Sequence, residues 1–269
     1  MNKNLKKFET QAQYEAAQST LGYPNVSWIT SGDTLHYVKE LPPHDYSLDY
    51  LTFTATENGT FTFIPSCANT ISYSTDNGST WTEGNSVSVS ANDKVLWKGT
   101  MTPYNEQGNY GVGYFSSTGA FTVEGNVHSL LWGDNFVGET DLSGKVSALN
   151  SLFYNCTHLT SAENMVLPAT TLEGTCYCGM FAECTNLTTA PTLSATTLAA
   201  MSYYIMFDHC RSLNKVTCLA TDTSAFWSTN GWLDGVAANG TFTKAASMTS
   251  WASGADGIPN GWTVQDYQS

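Results

Sequence analysis

Phe181-Ala182-Glu183-Cys184-Thr185-Asn186-Leu187 is one of three copies of a single pattern: an aromatic, then cysteine three residues on, then leucine three further. The others are Phe153-x-x-Cys156-x-x-Leu159, 28 residues earlier, and Phe207-x-x-Cys210-x-x-Leu213, 26 residues later. Flanking positions repeat too. Leu167-Pro-Ala-Thr-Thr-Leu172 matches Leu193-Ser-Ala-Thr-Thr-Leu198, and Leu219-Ala-Thr-Asp-Thr223 begins a third. A period in the twenties marks a solenoid, in which each coil buries its apolar face only against its neighbours. Cysteine is a compact, apolar core residue, so Cys156, Cys184 and Cys210 are expected to stack as a buried column. Such a fold presents a surface, and the expectation is a binding or structural protein rather than an enzyme.

Composition narrows the classes further. Only 12% of the 269 residues are charged, while 41% are hydrophobic and 13% aromatic. That supplies ample core for an ordered protein and leaves a surface rich in hydroxyls and amides. The net charge is −13, with Arg211 the single arginine. Duplex nucleic acid needs several cations on its phosphates, so nucleic acid is not an expected partner. No run reaches the 18 apolar residues of a membrane helix, so no membrane partner is expected either. Residues 1–30 hold no apolar stretch of the signal-peptide kind. With Met1 as the start, the expectation is a product kept in a cytoplasm until it is released. Seven cysteines make an odd count, which together with that location argues against a disulfide framework.

Four segments follow along the chain. Residues 1–46 read as an attachment segment: Lys3, Lys6 and Lys7, then Phe8, then a helix carrying Tyr14 to Leu21, then strands at Asn25–Ile29 and Thr34–Val38. Residues 47–125 read as about eight short antiparallel strands of a β-sandwich or jelly roll. Asp76-Asn77-Gly78 is a strong hairpin signal among them. Residues 126–224 are the solenoid, each coil holding a short helix that ends near Phe-x-x-Cys and a strand like Thr188–Leu193. The helix after Thr197 would place Leu198, Met201, Ile205 and Phe207 close to one face. Residues 225–269 break the period and, with Trp227, Trp232, Trp251 and Trp262, read as a terminal cap. The fold class is thus mainly β with short helices.

Chemistry-bearing motifs are sparse. Cys176-x-Cys178, with His209-Cys210 nearby, lacks the Cys-x₂₋₄-Cys spacing of structural zinc. There is no Gly-x-Ser-x-Gly, and the five histidines are scattered. The 23 acids allow some carboxylate pair to meet but single none out. No catalytic residue, metal or cofactor is expected. Aromatics are the remaining candidates, because tyrosine offers contact area with a polar tip. Tyr104 and Tyr110, on the Gly-rich loop 103–113, and Tyr204, on a coil, are the candidate ligand-binding residues. Tyr177 and Tyr203 are expected to pack between coils.

The Phe-x-x-Cys-x-x-Leu copies with Leu167-Pro-Ala-Thr-Thr-Leu172 resemble the BspA-like leucine-rich repeats of gut Bacteroidales proteins. Gly240-Thr-Phe-Thr-Lys244 with Gly257-Ile-Pro-Asn-Gly-Trp-Thr-Val264 resembles the C-terminal cap of that group. The opening, Phe8-Glu-Thr-x-Ala-x-Tyr-Glu-Ala-Ala17 with Pro24-Asn-Val-Ser-Trp28, is similar to the start of tail- and fibre-type proteins of phages infecting those bacteria, crAss-like phages included. Ser194 departs from the repeat, which usually has proline there. The resemblance implies a non-enzymatic virion component, a head or tail fibre or decoration protein, assembled in the host cytoplasm. Residues 1–46 would dock on other virion proteins, in a dimer or trimer, and the repeats would meet a host-surface glycan or protein. A bacterial surface adhesin and a glycan-degrading enzyme are the alternatives; the first needs an export signal, the second a converging acid pair. Three coils at ~4.8 Å per strand span about 15 Å, little against the ~800 Å² per partner of a standard interface. The β-domain or sister subunits would have to complete the face.

Overall fold

The structure, a computed structural model, describes residues 28–31, 35–38, 44–66, 69–103 and 111–268. It divides into two compact units, residues 1–45 and 46–269. In the first, β1 (Trp28–Ser31) and β2 (Leu35–Val38) pair antiparallel, Trp28 opposite Val38. The attachment candidates Lys3, Lys6, Lys7, Phe8 and Tyr14, the helix expected from Tyr14 to Leu21, Cys67, and the loop residues Tyr104 and Tyr110 lie outside the described residues.

Among the described residues, the second unit opens with eight strands, where about eight were expected. They are β3 (Leu51–Ala55), β4 (Gly59–Pro65), β5 (Ile71–Ser74), β6 (Thr82–Glu83), β7 (Ser86–Val89), β8 (Lys94–Gly99), β9 (Gly113–Ser117) and β10 (Phe121–Asn126). They pair antiparallel in two sheets, ordered β10-β3-β8-β5-β6 and β7-β4-β9. Alternation along the strands aims aromatics inward: Phe53 meets Phe61 at 5.3 Å and Phe115 at 4.7 Å, and Trp97 meets Phe115 at 5.2 Å, all fully buried or nearly so. The turn between β5 and β6 bends through left-handed Asn77 and Gly78. It is tied by Asp76, whose carboxylate accepts from Thr80 N–H, Thr80 Oγ1 and Ser74 Oγ. Those bonds, Thr80 N–H first, hold the Asp76 carboxyl down at about 2.

β10 is the junction. On one edge it runs antiparallel to β3, with Val123 opposite Phe53, and on the other parallel to β11 (Leu159–Leu167). The antiparallel and solenoid parts therefore share one ten-stranded sheet. Close approach at this junction excludes a side chain from Gly125, whose φ is +81°: a Cβ there would lie 2.1 Å from Tyr50 O. One α-helical turn, α1 (Ser129–Trp132), follows. Ser129 Oγ accepts from Leu51 N–H and donates to Trp97 O, which fastens α1 across β3 and β8.

Beyond β11, β12 (Thr189–Leu193), β13 (Lys215–Cys218), β14 (Thr241–Lys244) and β15 (Thr263–Asp266) add on in parallel, a β-solenoid of about four turns. Partners lie 26 residues apart (Val166 with Thr192, Thr189 with Lys215, Lys215 with Thr241), 25 apart after a register shift between β12 and β13 (Thr192 with Thr217), and 22 apart at the end (Thr241 with Thr263).

The helix expected in each coil is absent; a chain of tight turns replaces it. Every fourth residue is left-handed: Ser147, Ser151 and Asn155; Thr175, Gly179 and Glu183; Met201, Ile205 and His209; Trp227, Gly231 and Gly235. Peptide N–H groups then alternate in their use. Those of Tyr203, Ile205 and Phe207 reach the next coil at Ser228, Asn230 and Trp232 O. Those of Tyr204, Met206 and Asp208 close turns onto Met201, Tyr203 and Ile205 O. Each non-glycine left-handed residue costs roughly 1–2 kcal/mol. Most four-residue units also bury two side chains, such as Met206 and Phe207 at 0% exposure. Burial of that kind is worth roughly 1.5–3 kcal/mol per side chain, so burial wins. Met201 and Ile205, expected on one helix face with Leu198 and Phe207, are only half-buried for this reason, while Ser202, Tyr203, Met206 and Phe207 point inward.

Two columns run through the coils. Phe115, Phe153, Phe181 and Phe207 stack in succession, the last three at 5.4 Å and 5°. Phe115, on β9, heads the column, and its N–H donates to Leu152 O; the antiparallel part thus templates the first coil. Beside the rings, Cys156, Cys184 and Cys210 are buried, with Cys184 Sγ–H donating to Phe153 O and Cys210 Sγ–H to Phe181 O. Burial pushes the Cys156 thiol up to about 12 and raises Cys184 and Cys210 as well. Ellman reagent on native protein should leave these three thiols unmodified until denaturant is added. Their immediate reaction would contradict a buried column.

The coil path also continues through residues that the sequence reading assigned to a cap. Leu233 and Val236 stand where earlier coils have Phe and Cys, and β14 keeps the 26-residue register. The tryptophans close the end: Trp232 stacks on Tyr203 (6.2 Å) and on Trp251 (5.5 Å), and Trp262 Nε1–H donates to Ala237 O.

Candidate binding face

The turn segments of the later coils carry one outward surface, because from Met201 onward the left-handed residue and its preceding neighbour are half-buried or exposed in unit after unit. Columns of equivalent residues build it. Gly179, Ile205 and Gly231 form one; Glu183, His209 and Gly235 form another, with the Gly235 Cα hydrogens facing the His209 ring. Tyr204 sits on this surface, half-buried, and the Trp227 ring from the next coil lies 5.9 Å from it at 16°. Phe226 adds a third ring, 4.7 Å from Trp227 and again at 16°. The stack is open to solvent, with Phe226 64% and Trp227 51% exposed. The shorter last turn, between β14 and β15, leaves it so. Leu233 and Gly231 N–H find that turn at Ala255 O and Asp256 Oδ1, whereas Phe226 and Trp227 lie beyond its reach.

Trp227 occupies a left-handed position, φ 50°, that the fold imposes and that Gly179, Gly231 and Gly235 fill at lower cost in the other columns. A large ring there, half of it in water, gains less from burial than the interior rings do. Packing alone gives it little reason to be there.

Tyr204 is the one sequence candidate that the described residues bring to this surface. Tyr177 and Tyr203, expected between coils, are 1% exposed, and burial raises both phenols well above the ordinary tyrosine value. Phe226 and Trp227 were missed as surface residues. Counting 26 forward from Met201 reaches Trp227, a signal that the change from Phe to Leu233 concealed.

The acidic end of the face is built by Asp208 and His209, four and five residues from Tyr204 on the same coil, and by Glu183 on the preceding one. Glu183, Asp208 and His209 each offer a ligand atom within 4.8 Å of the others, the one such group among the described residues. His209 Nδ1 lies 2.8 Å from Asp208 Oδ1. Cys176 and Cys178 take no part in it. Burial, the larger cause in each, raises their thiols to about 12 and about 11, away from the thiolate that metal binding requires.

Aromatics recur at a second place, tied inward. Lys98 Nζ lies 4.1 Å from the Trp81 ring centroid and donates to Asp134, which also accepts from Tyr50 OH. Burial first, then this bond, pushes the Tyr50 phenol up to about 12. These groups satisfy one another and pin the β5–β6 loop to the sheet.

No protein-family model, curated protein or solved structure matches the chain.

Proposed function

We propose that this chain is a non-enzymatic structural protein of a phage particle, of the head- or tail-fibre or decoration kind, whose solenoid presents its turn face to the host surface. The observation that carries the reading is the Tyr204–Trp227–Phe226 stack, three near-parallel rings held at the surface of a rigid coil ladder. Rigid aromatics bind at low conformational cost, and scaffold-mounted contacts of this kind are what recognition surfaces use. The recurring inward positions, by contrast, go to packing. In the same reading, the antiparallel part belongs to the jelly-roll-like sandwiches and the coils to the BspA-like leucine-rich repeats.

Residues 1–46 dock on other virion proteins in this account, and the copies assemble as a dimer or trimer. Symmetry then repeats a weak contact and raises its effective strength through avidity. The test is twofold. Antibody against the purified protein should label intact particles by immunogold, and free protein should compete with those particles for adsorption to gut Bacteroidales cells. Absence of the protein from purified particles would overturn the virion assignment, and failure to compete would overturn the host-surface role.

A further inference from the structure

The chemistry of the ring stack narrows what it takes. Phe226, 64% exposed, and Trp227, 51% exposed, together leave roughly 200–250 Å² of residue surface open, ring edges and faces together, far below the ~800 Å² that each partner commits to a stable protein interface. That area suits one or two sugar rings. A pyranose whose hydroxyls are all equatorial carries a patch of axial C–H bonds on each face, and that patch seats on the electron-rich face of an aromatic ring. An axial hydroxyl removes the patch from the face it occupies, so an all-equatorial ring alone offers it on both faces.

Charge decides the second feature. Residues 199–235, which carry the stack, hold Asp208, Asp222 and Asp234 against Arg211 and Lys215, and Lys215 is already paired with Glu163. Glu183 adds to the acidic end beside His209, and the whole chain carries −13. Such a field opposes sulfated, phosphorylated or uronic glycans, and like-charge juxtaposition is a strong means of rejecting a partner.

From ring geometry, open area and charge, we infer that Trp227 and Phe226, with Tyr204 behind them, form a subsite for a neutral, equatorially substituted hexopyranose of the glucose or N-acetylglucosamine type. This rests on the host-surface reading above and names its ligand class. The full-length protein is titrated with a neutral β-1,4-linked N-acetylglucosamine trimer, with cellotriose and with trigalacturonate. Saturation-transfer NMR and tryptophan fluorescence follow binding. Trp227→Gly removes the ring at a backbone position that glycine suits, so the fold should persist; Phe226→Ala serves as a second variant.

A neutral trimer should bind, Trp227→Gly should weaken it at least tenfold, and trigalacturonate should bind at least tenfold more weakly than the best neutral sugar. Equal or tighter binding of trigalacturonate would overturn the assignment, as would neutral binding that both variants leave unchanged. Attachment to whole cells without binding of any neutral trimer would keep the presentation role and refute the sugar subsite. Concentration-dependent self-association abolished by Trp227→Gly would refute it too, by making the stack a contact between copies.

Discussion

Phe181→Ala should lower the unfolding free energy by about 3–5 kcal/mol, the range for removing a fully buried phenylalanine. Phe181 is 0% exposed and sits 5.4 Å from Phe153 on one side and from Phe207 on the other. Its loss opens a cavity in the middle of the column and removes two ring stackings together. Relaxation cannot fill the space, because the backbones on both sides are fixed by the inter-coil ladder: Phe153 N–H to Met180 O, and Phe181 N–H to Met206 O. Since coils bury their faces only against neighbours, the damage should spread to the adjacent coils rather than stay local. Urea unfolding measures it, with the midpoint falling in proportion. A loss below about 1 kcal/mol would mean that the column is not the core.

Acid should destabilise the protein through His128. The ring is 0% exposed and 4.7 Å from Trp132; Nδ1–H donates to Glu139 O, while Nε2 has no partner among the described residues. Burial is the main cause that depresses its pKa to about 4; the Glu139 hydrogen bond opposes this and nearby Lys145 adds to it. In the unfolded chain the same imidazole titrates near 6.5. Below that value the unfolded state takes up a proton that the folded state refuses. The contribution is therefore complete above pH 6.5 and lost progressively as the pH falls to about 4, some 3 kcal/mol in all. Unfolding free energies at pH 7.5 and pH 4 should show this loss in the wild type and less of it in His128→Phe. An equal loss in both proteins would assign the acid sensitivity to the carboxylates.

Strand content and the coil period were legible in the sequence for simple physical reasons. Alternation in Leu51–Ala55 and Thr60–Ile64 has the period of a pleated strand, and Phe-x-x-Cys-x-x-Leu repeats because each coil needs the same inward residues. The coil interior was not legible. Pairs such as Tyr203 and Phe207, four apart, look the same whether the backbone is helical or a chain of turns with a left-handed residue at every fourth place. Met201 and Ile205 gave no warning, because side chains seldom advertise a positive φ; only Gly179, Gly231 and Gly235 hinted at it. The shared sheet was hidden as well, since nothing in Phe121–Asn126 reveals that β10 pairs antiparallel on one edge and parallel on the other. Of the candidate ligand residues, Tyr204 could be found from its coil, whereas Phe226 and Trp227 were lost when Leu233 and Val236 replaced the marker residues.

The division between an interior built for packing and an outer stack built for recognition is the core of this account. One measurement tests it most directly: adsorption of the Phe226→Ala/Trp227→Gly double variant to host cells, set beside its unfolding temperature. Exposed side chains away from the core usually change stability by no more than about 0.5 kcal/mol. The double variant should therefore melt with the wild type or above it, since glycine relieves the left-handed strain at position 227, and bind cells at least tenfold more weakly. Undiminished binding by a normally folded double variant would contradict the account.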